Sequence, residues 1–325
     1  MSARRTDVPR LLRWYPAGWR ERYGDELGAL IEDTLDGRPP TRRFRLRMAW
    51  AGLRERGHQA GLTGTAAPAA SRVRTGCLLV LCAWTAFVVA GIGFAKLAEH
   101  FGPAVSLRAR PVSVGAFGTV QVLAVIGGLL VLAGAAAAGP AFIRFLRAGG
   151  WGPIRGHVLR AAGAIVVLAA ALAGLTAAAR MLTFAQRNGG DSLYSLAFVL
   201  TALLLAAALA LCAVAAVTTA RRLALTRAVL SAEAVLAATV TAAMMAMTAA
   251  IALWWATVGS SAPWFLQGTR AGSAASAVTP NLVGMAVLML AADAVSGYGV
   301  ILLARSWTQL RSGAGPRPVT WPPPA

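Results

Sequence analysis

The sequence predicts an all-α membrane protein, a polytopic bundle of about six transmembrane helices behind a small N-terminal cytosolic helical domain. Three observations predict it. Of 325 residues, 57% are hydrophobic and 13% charged, with a mean hydropathy of +0.62, whereas a soluble domain carries about 25% charged residues. The charges are segregated, with 15 Arg and eight carboxylates in residues 1–75 and 20 charged groups in the remaining 250. Six stretches reach the roughly 20 apolar residues that cross a bilayer core.

Residues 1–58 read as a basic helical head. Pro16 suits the opening of a helix, where a missing N–H leaves nothing unpaired. Beyond it Trp19, Tyr23, Leu27, Leu30 and Ile31 recur at helical spacing as one apolar stripe, while Arg20, Glu21, Arg22, Asp25, Glu26, Glu32 and Asp33 mostly take the other faces. A stripe carrying Trp and Tyr needs a partner, which is another helix of the head or a separate protein. Pro39 and Pro40 break the chain. The next run, 41–57, sets Arg42, Arg43, Arg45, Arg47, Arg54 and Arg56 around Phe44, Met48 and Leu53. Such a basic amphipathic helix suits an anionic lipid surface, the back of a small helical bundle, or nucleic acid. No helix-turn-helix pair is identifiable, and positive charge beside a first span is expected anyway, so nucleic acid is not the expected partner. Residues 59–75 begin with an Ala/Gly/Thr-rich linker.

The six spans are expected at about 76–98, 114–138, 161–183, 193–219, 229–256 and 282–304, with a Pro-rich cytosolic tail at 305–325. Their hydrophobicity comes from Ala, Leu, Val and Gly in runs far longer than barrel strands. The N-terminal region, the loops at 139–160 and 220–228 and the tail hold 25 Arg, against six basic residues on the opposite side. Without the long N-terminal segment the comparison is ten against six, so both termini are expected in the cytosol of a plasma-membrane protein. No cleavable signal peptide is expected, because the first long apolar run begins near Gly76. Trp254, Trp255, Trp264 and Phe265 flank the longest outer loop, 257–281, and fit an interfacial aromatic belt. Small-residue runs such as 133–139 allow close helix approach. Alanine-rich composition produces such runs widely, so none is read as a dimer interface.

The composition excludes several chemistries. Lys96 is the only lysine, and no Gly-rich loop precedes it in Walker form, so neither an ATP-hydrolysing motor nor a Schiff-base mechanism is expected. Cys77, Cys82 and Cys212 read as buried free thiols. His58, His100 and His157 stand apart from any Cys or carboxylate cluster, so no metal, cofactor or catalytic residue is expected. Within the spans, Asp293 lies near the middle of the last, where an ionised carboxylate costs about 2.5–3.5 kcal/mol on insertion scales. It is either a proton- or cation-coupling site, sharing its level with Gln121 of the second span, or an acid satisfied by Ser296, Tyr298 or a neighbouring Thr. Glu233 is expected to snorkel to water or Arg227.

The pattern LLRWYP..WRERYGDEL..LIEDT, carried by Tyr15, Pro16, Trp19, Arg20, Arg22, Tyr23, Gly24, Glu26 and Leu30, resembles a short helical region ahead of multi-pass segments in actinobacterial membrane proteins. It is similar to HAAS-type signalling domains encoded beside PadR-type regulators and to the cytosolic prefix helices of some permeases. The resemblance covers 30 to 50 residues, and it implies a regulatory or coupling head whose stripe contacts a cytosolic regulator or a separate ATPase. A non-enzymatic sensor or regulatory protein is therefore the first expectation. A transporter or permease component with Asp293 in a polar pathway is the second.

Overall fold

The computed structural model describes residues 7–36, 38–59, 62, 68–98, 101–183, 186, 192–267 and 278–312. Among them every regular element is helical: α1 (Asp7–Leu12), α2 (Ala17–Leu35), α3 (Arg42–Gln59), α4 (Ala69–Ala98), α5 (Arg110–Arg147), α6 (Arg155–Met181), α7 (Ser192–Ala220), α8 (Arg227–Ser261), α9 (Pro263–Gln267) and α10 (Val278–Ser312). The chain forms two compact units, residues 1–75 with 305–325, and residues 76–304. Six helices are long and apolar enough to cross a membrane, over Ala69–Lys96, Arg110–Arg147, Arg155–Met181, Ser192–Ala220, Arg227–Ser261 and Leu282–Trp307. The protein is therefore an all-α polytopic bundle.

In the first unit α1 packs on α2 and α3. Pro16 caps α2 with extended backbone and leads into the helix at Ala17. Asp36 closes it in the left-handed region (φ 42°), its N–H reaching the carbonyls of Glu32 and Asp33. Leu11, Tyr15 and Ile31 are buried, together with Gly24 and Gly52. Gly52 is required by the close approach of α3, because a Cβ there would lie 2.7 Å from both the carbonyl carbon and the Cβ of Trp14. One arginine clamps the same junction, with Arg56 Nη2 donating to the carbonyl of Arg13 at 2.7 Å.

In the second unit α8 is the central helix, with α5 packed along it and a long buried face from Leu230 to Val258. Thr226 starts α8 by accepting the N–H of Val229 at 3.4 Å. α4 and α10 run antiparallel in backbone contact. A Cβ on Gly76 would meet the carbonyl of Gly299 at 2.8 Å, and a Cβ on Gly299 the carbonyl of Gly76 at 2.9 Å. Farther along this pair, Gly93 makes room for Met285 and Gly91 for Met289. Gly127 of α5 receives the Trp84 ring of α4. α6 and α7 pack mainly on each other and turn apolar side chains outward, as lipid solvent permits.

Several sequence expectations change in detail. The helices overrun the expected spans, most of all α5, whose 38 residues reach about 57 Å. Helical hydrogen bonding does not stop where hydrophobicity does, so the Arg-bearing ends continue the coil. Likewise α4 begins at Ala69, directly after Pro68, so residues 69–75 are helix rather than linker. Trp254 is fully buried against Phe94 and Phe101 in edge contacts at 5.0 and 5.4 Å. It is a core residue, not part of an interfacial belt, because aromatic partners from α4 and the following loop enclose it. Cys82 is exposed, and Cys77 and Cys212 are half-buried, so the thiols are not all core. The expected tail from 313 and much of the outer loop, at 268–277, lie outside the described residues.

Candidate functional site

The α2 stripe divides on folding. Ile31 turns into the head core, Trp19 and Leu27 are half-buried, and Tyr23 and Leu30 stand 46% and 61% exposed. Tyr15, Trp19 and Tyr23 follow one another at four-residue spacing as a ladder, the first pair stacked and the second tilted, with ring centroids 4.3 and 5.3 Å apart. The ladder begins in the core at Tyr15 and ends at the surface. Burial, and then the negative charge of Glu55 on α3, push the Tyr15 phenol above its ordinary pKa. An open groove of about 740 Å³ runs beside the ladder, lined by Trp19, Glu21, Arg22, Tyr23, Glu55 and Gln59. Its walls mix both signs of charge with two aromatic rings. Rings of this kind offer contact area, and charges of both signs offer register, to whatever surface meets them.

On α3, Arg42, Arg43, Arg45 and Arg47 are all exposed. Arg45 Nε donates to the carbonyl of Pro40 at 3.1 Å. Phe44 and Met48 are half-buried, whereas Leu46 and Trp50 are exposed. Of the apolar residues expected among the arginines, Phe44 and Met48 are half-buried and Leu53 is exposed, and Leu46 and Trp50 join Leu53 on the open side. The signal for that side in the sequence is the spacing of Leu46, Trp50 and Leu53.

Within the membrane unit, Asp293 of α10 accepts a hydrogen bond from Thr248 Oγ1 of α8 at 2.7 Å through Oδ2, while Oδ1 is buried without a hydrogen-bond partner. Ser296 does not serve Asp293. It pairs instead with Thr241 of α8 at 2.5 Å. The Thr241 hydroxyl also lies 3.0 Å from the carbonyl of Ala237 in its own helix. Gln121 is exposed on α5, one position past the buried Val120. Glu233 packs against α5, where a Cβ on Gly134 would lie 3.0 Å from its Oε2. It fills a notch left by a small residue rather than reaching Arg227. Thr248, which bonds one oxygen of Asp293, is invisible to spacing because it lies 45 positions away.

Among the described residues no three His, Cys, Asp or Glu side chains gather as a metal ion requires. The fold and composition define a multi-pass integral membrane protein with a helical head. No family model, curated protein or solved structure matches the chain.

Proposed function

We propose that the protein is a non-enzymatic membrane sensor or regulator of the plasma membrane, whose cytosolic head docks a cytosolic regulatory protein through the Trp19–Tyr23 face. The observation that carries this reading is the split stripe. The head closes its own core with Leu11, Tyr15 and Ile31 and leaves Tyr23 and Leu30 without cover beside a groove of mixed charge. Burying such an aromatic and an aliphatic side chain stabilises a complex by about 1.5–3 kcal/mol each, and central aromatics dominate interfaces of this kind. The bundle supplies the input and the head the output, with no reaction at either end.

The test is photo-crosslinking in living cells from a benzophenone side chain at position 23 of the full chain. A protein adduct of constant mass that disappears in Trp19→Ala and Leu30→Ser variants supports docking. Lipid or intramolecular adducts alone sink it. A second reading, a transporter component, is favoured by the buried unpaired Oδ1 of Asp293. It requires Asp293→Asn to abolish transport while leaving the amount of folded protein unchanged.

A further inference from the structure

We propose that the groove beside Trp19 and Tyr23 takes a proline-rich segment of this same chain, residues 316–324, bound as a polyproline II helix across the two rings. The inference rests on the reading of that groove as a docking face and names its occupant. The chemistry of the walls selects the ligand. Trp19 and Tyr23 lie 5.3 Å apart with their rings tilted by 49°, and Tyr23 is exposed. Two tilted rings side by side form a shallow apolar notch on which a proline ring packs, and proline-rich segments dock to aromatic-lined grooves of this kind. A polyproline II helix makes no hydrogen bonds of its own. The indole N–H of Trp19, the hydroxyl of Tyr23 and the side-chain amide of Gln59 are donors for its carbonyls. The groove also sets two carboxylates, Glu21 and Glu55, against the guanidinium of Arg22, so it favours a segment that carries a positive charge.

The sequence PRPVTWPPP at 316–324 matches those walls. In polyproline II geometry three residues make one turn, so residues three apart share an edge. Pro316, Val319 and Pro322 fall on one edge and Pro318, Trp321 and Pro324 on a second, both apolar, while Arg317 and Thr320 begin the third. Laid on the rings by its apolar edges, the helix leaves Arg317 for the carboxylates of Glu21 and Glu55. The chain from Arg305 onward belongs to the same compact unit as the head. Six membrane crossings, an even number, also return it to the side on which it began. Gly313, Ala314 and Gly315 join Ser312, at the end of α10, to Pro316. The nine residues from Ser312 to Trp321 span at most about 30–32 Å. Attachment this short replaces a bimolecular encounter by an effective concentration on the order of millimolar, so a small interface suffices. A separate regulatory protein and the segment then compete for the same rings, and the head is closed while the segment is seated.

The test uses the purified full chain, one copy per nanodisc, with a benzophenone side chain at position 320, which leaves every ring in place. Adducts are expected within one chain, mapped by mass spectrometry to α2 between Gly18 and Tyr23 and to the end of α3 between Glu55 and Gln59. Trp321→Ser and, separately, Tyr23→Ser should each lower their yield roughly fivefold or more; Tyr23 is exposed, so its replacement leaves the head core intact. Arg317→Glu should lower the yield roughly two- to fivefold, and Glu21→Arg in the same chain should restore it. Adducts scattered over the chain, adducts only to lipid or between chains, or yields that ignore Trp321→Ser and Tyr23→Ser would overturn the proposal. In living cells Trp321→Ser should raise the protein adduct formed from position 23, and an unchanged yield there overturns the competition. A position 320 adduct to the groove without any protein adduct from position 23 keeps this proposal and sinks the docking of a separate regulator. The protein adduct without the position 320 adduct does the reverse.

Discussion

Two glycines of the head should respond to alanine with opposite sign. Both Gly28 and Gly52 lie inside helices, where replacing Gly by Ala gains about 0.8–1 kcal/mol of helix propensity. At Gly28 the new Cβ would sit 3.5 Å from Val8 Cγ1, an ordinary contact, so Gly28→Ala should stabilise the head by about 1 kcal/mol. At Gly52 it would meet the carbonyl carbon and Cβ of Trp14 at 2.7 Å and the carbonyl oxygen at 2.9 Å. Two of those three atoms are backbone, so no side-chain rotation relieves the overlap and the turn after α1 must separate from α3. Overpacking of that kind costs about 1–3 kcal/mol. With the backbone involved the upper half applies, leaving a net loss of about 1–2 kcal/mol and a roughly 5- to 30-fold larger opening constant. Limited trypsin digestion of the full chain in nanodiscs reads this directly, because α3 carries Arg42, Arg43, Arg45, Arg47, Arg54 and Arg56 and cleavage follows the open population. Gly52→Ala should accelerate cleavage within α3, and Gly28→Ala should slow it. If Gly52→Ala is cut no faster than the parent, the turn at Trp14 does not pack on α3 as described.

Further outcomes follow from the packing. Combining Thr248→Val with Asp293→Ala in a double-mutant cycle should reveal a coupling of about 0.6–1.7 kcal/mol in thermal unfolding in detergent; additivity within 0.3 kcal/mol would mean the hydrogen bond contributes nothing. Gly299→Ala should destabilise the bundle by about 1–3 kcal/mol by forcing α10 off the Gly76 carbonyl. Gly297→Ala, two positions away with nothing within 4 Å, should not, and the pair is read in the same unfolding assay. The raised Tyr15 phenol pKa makes its contribution to head stability complete below the ordinary value near 10 and lost as pH rises through the folded value. The protection of amides in α1 and α2, relative to the intrinsic exchange rate at each pH, should therefore fall at strongly alkaline pH in the parent. Tyr15→Phe should remove that fall, and Glu55→Gln should move the Tyr15 titration back towards the ordinary range.

The class of the molecule was legible in one dimension because the bilayer acts on composition. Six long apolar runs and a displaced block of charge have one physical solution, helices that satisfy their own hydrogen bonds. The existence of α2 was equally legible, since Trp19, Tyr23, Leu27 and Ile31 keep a 3.6-residue period whatever they touch. Choosing a face required three dimensions. On α3 both Phe44–Met48 and Leu46–Trp50–Leu53 are apolar at helical spacing, and nothing local ranks them. The contact of Gly52 with Trp14 decides, burying the first set towards the head and leaving the second outside. In the same way, Asp293 is conspicuous as a lone carboxylate, but its partner Thr248 depends on how α10 crosses α8. Trp254 was read as an interfacial ring and is a core residue, because Phe94 and Phe101 converge on it from distant positions. Periodicity and hydrophobicity are local quantities that a bilayer reads residue by residue. Which side chains meet is fixed by helix crossings, and those depend on where small residues on different helices come face to face, as Gly76 and Gly299 do.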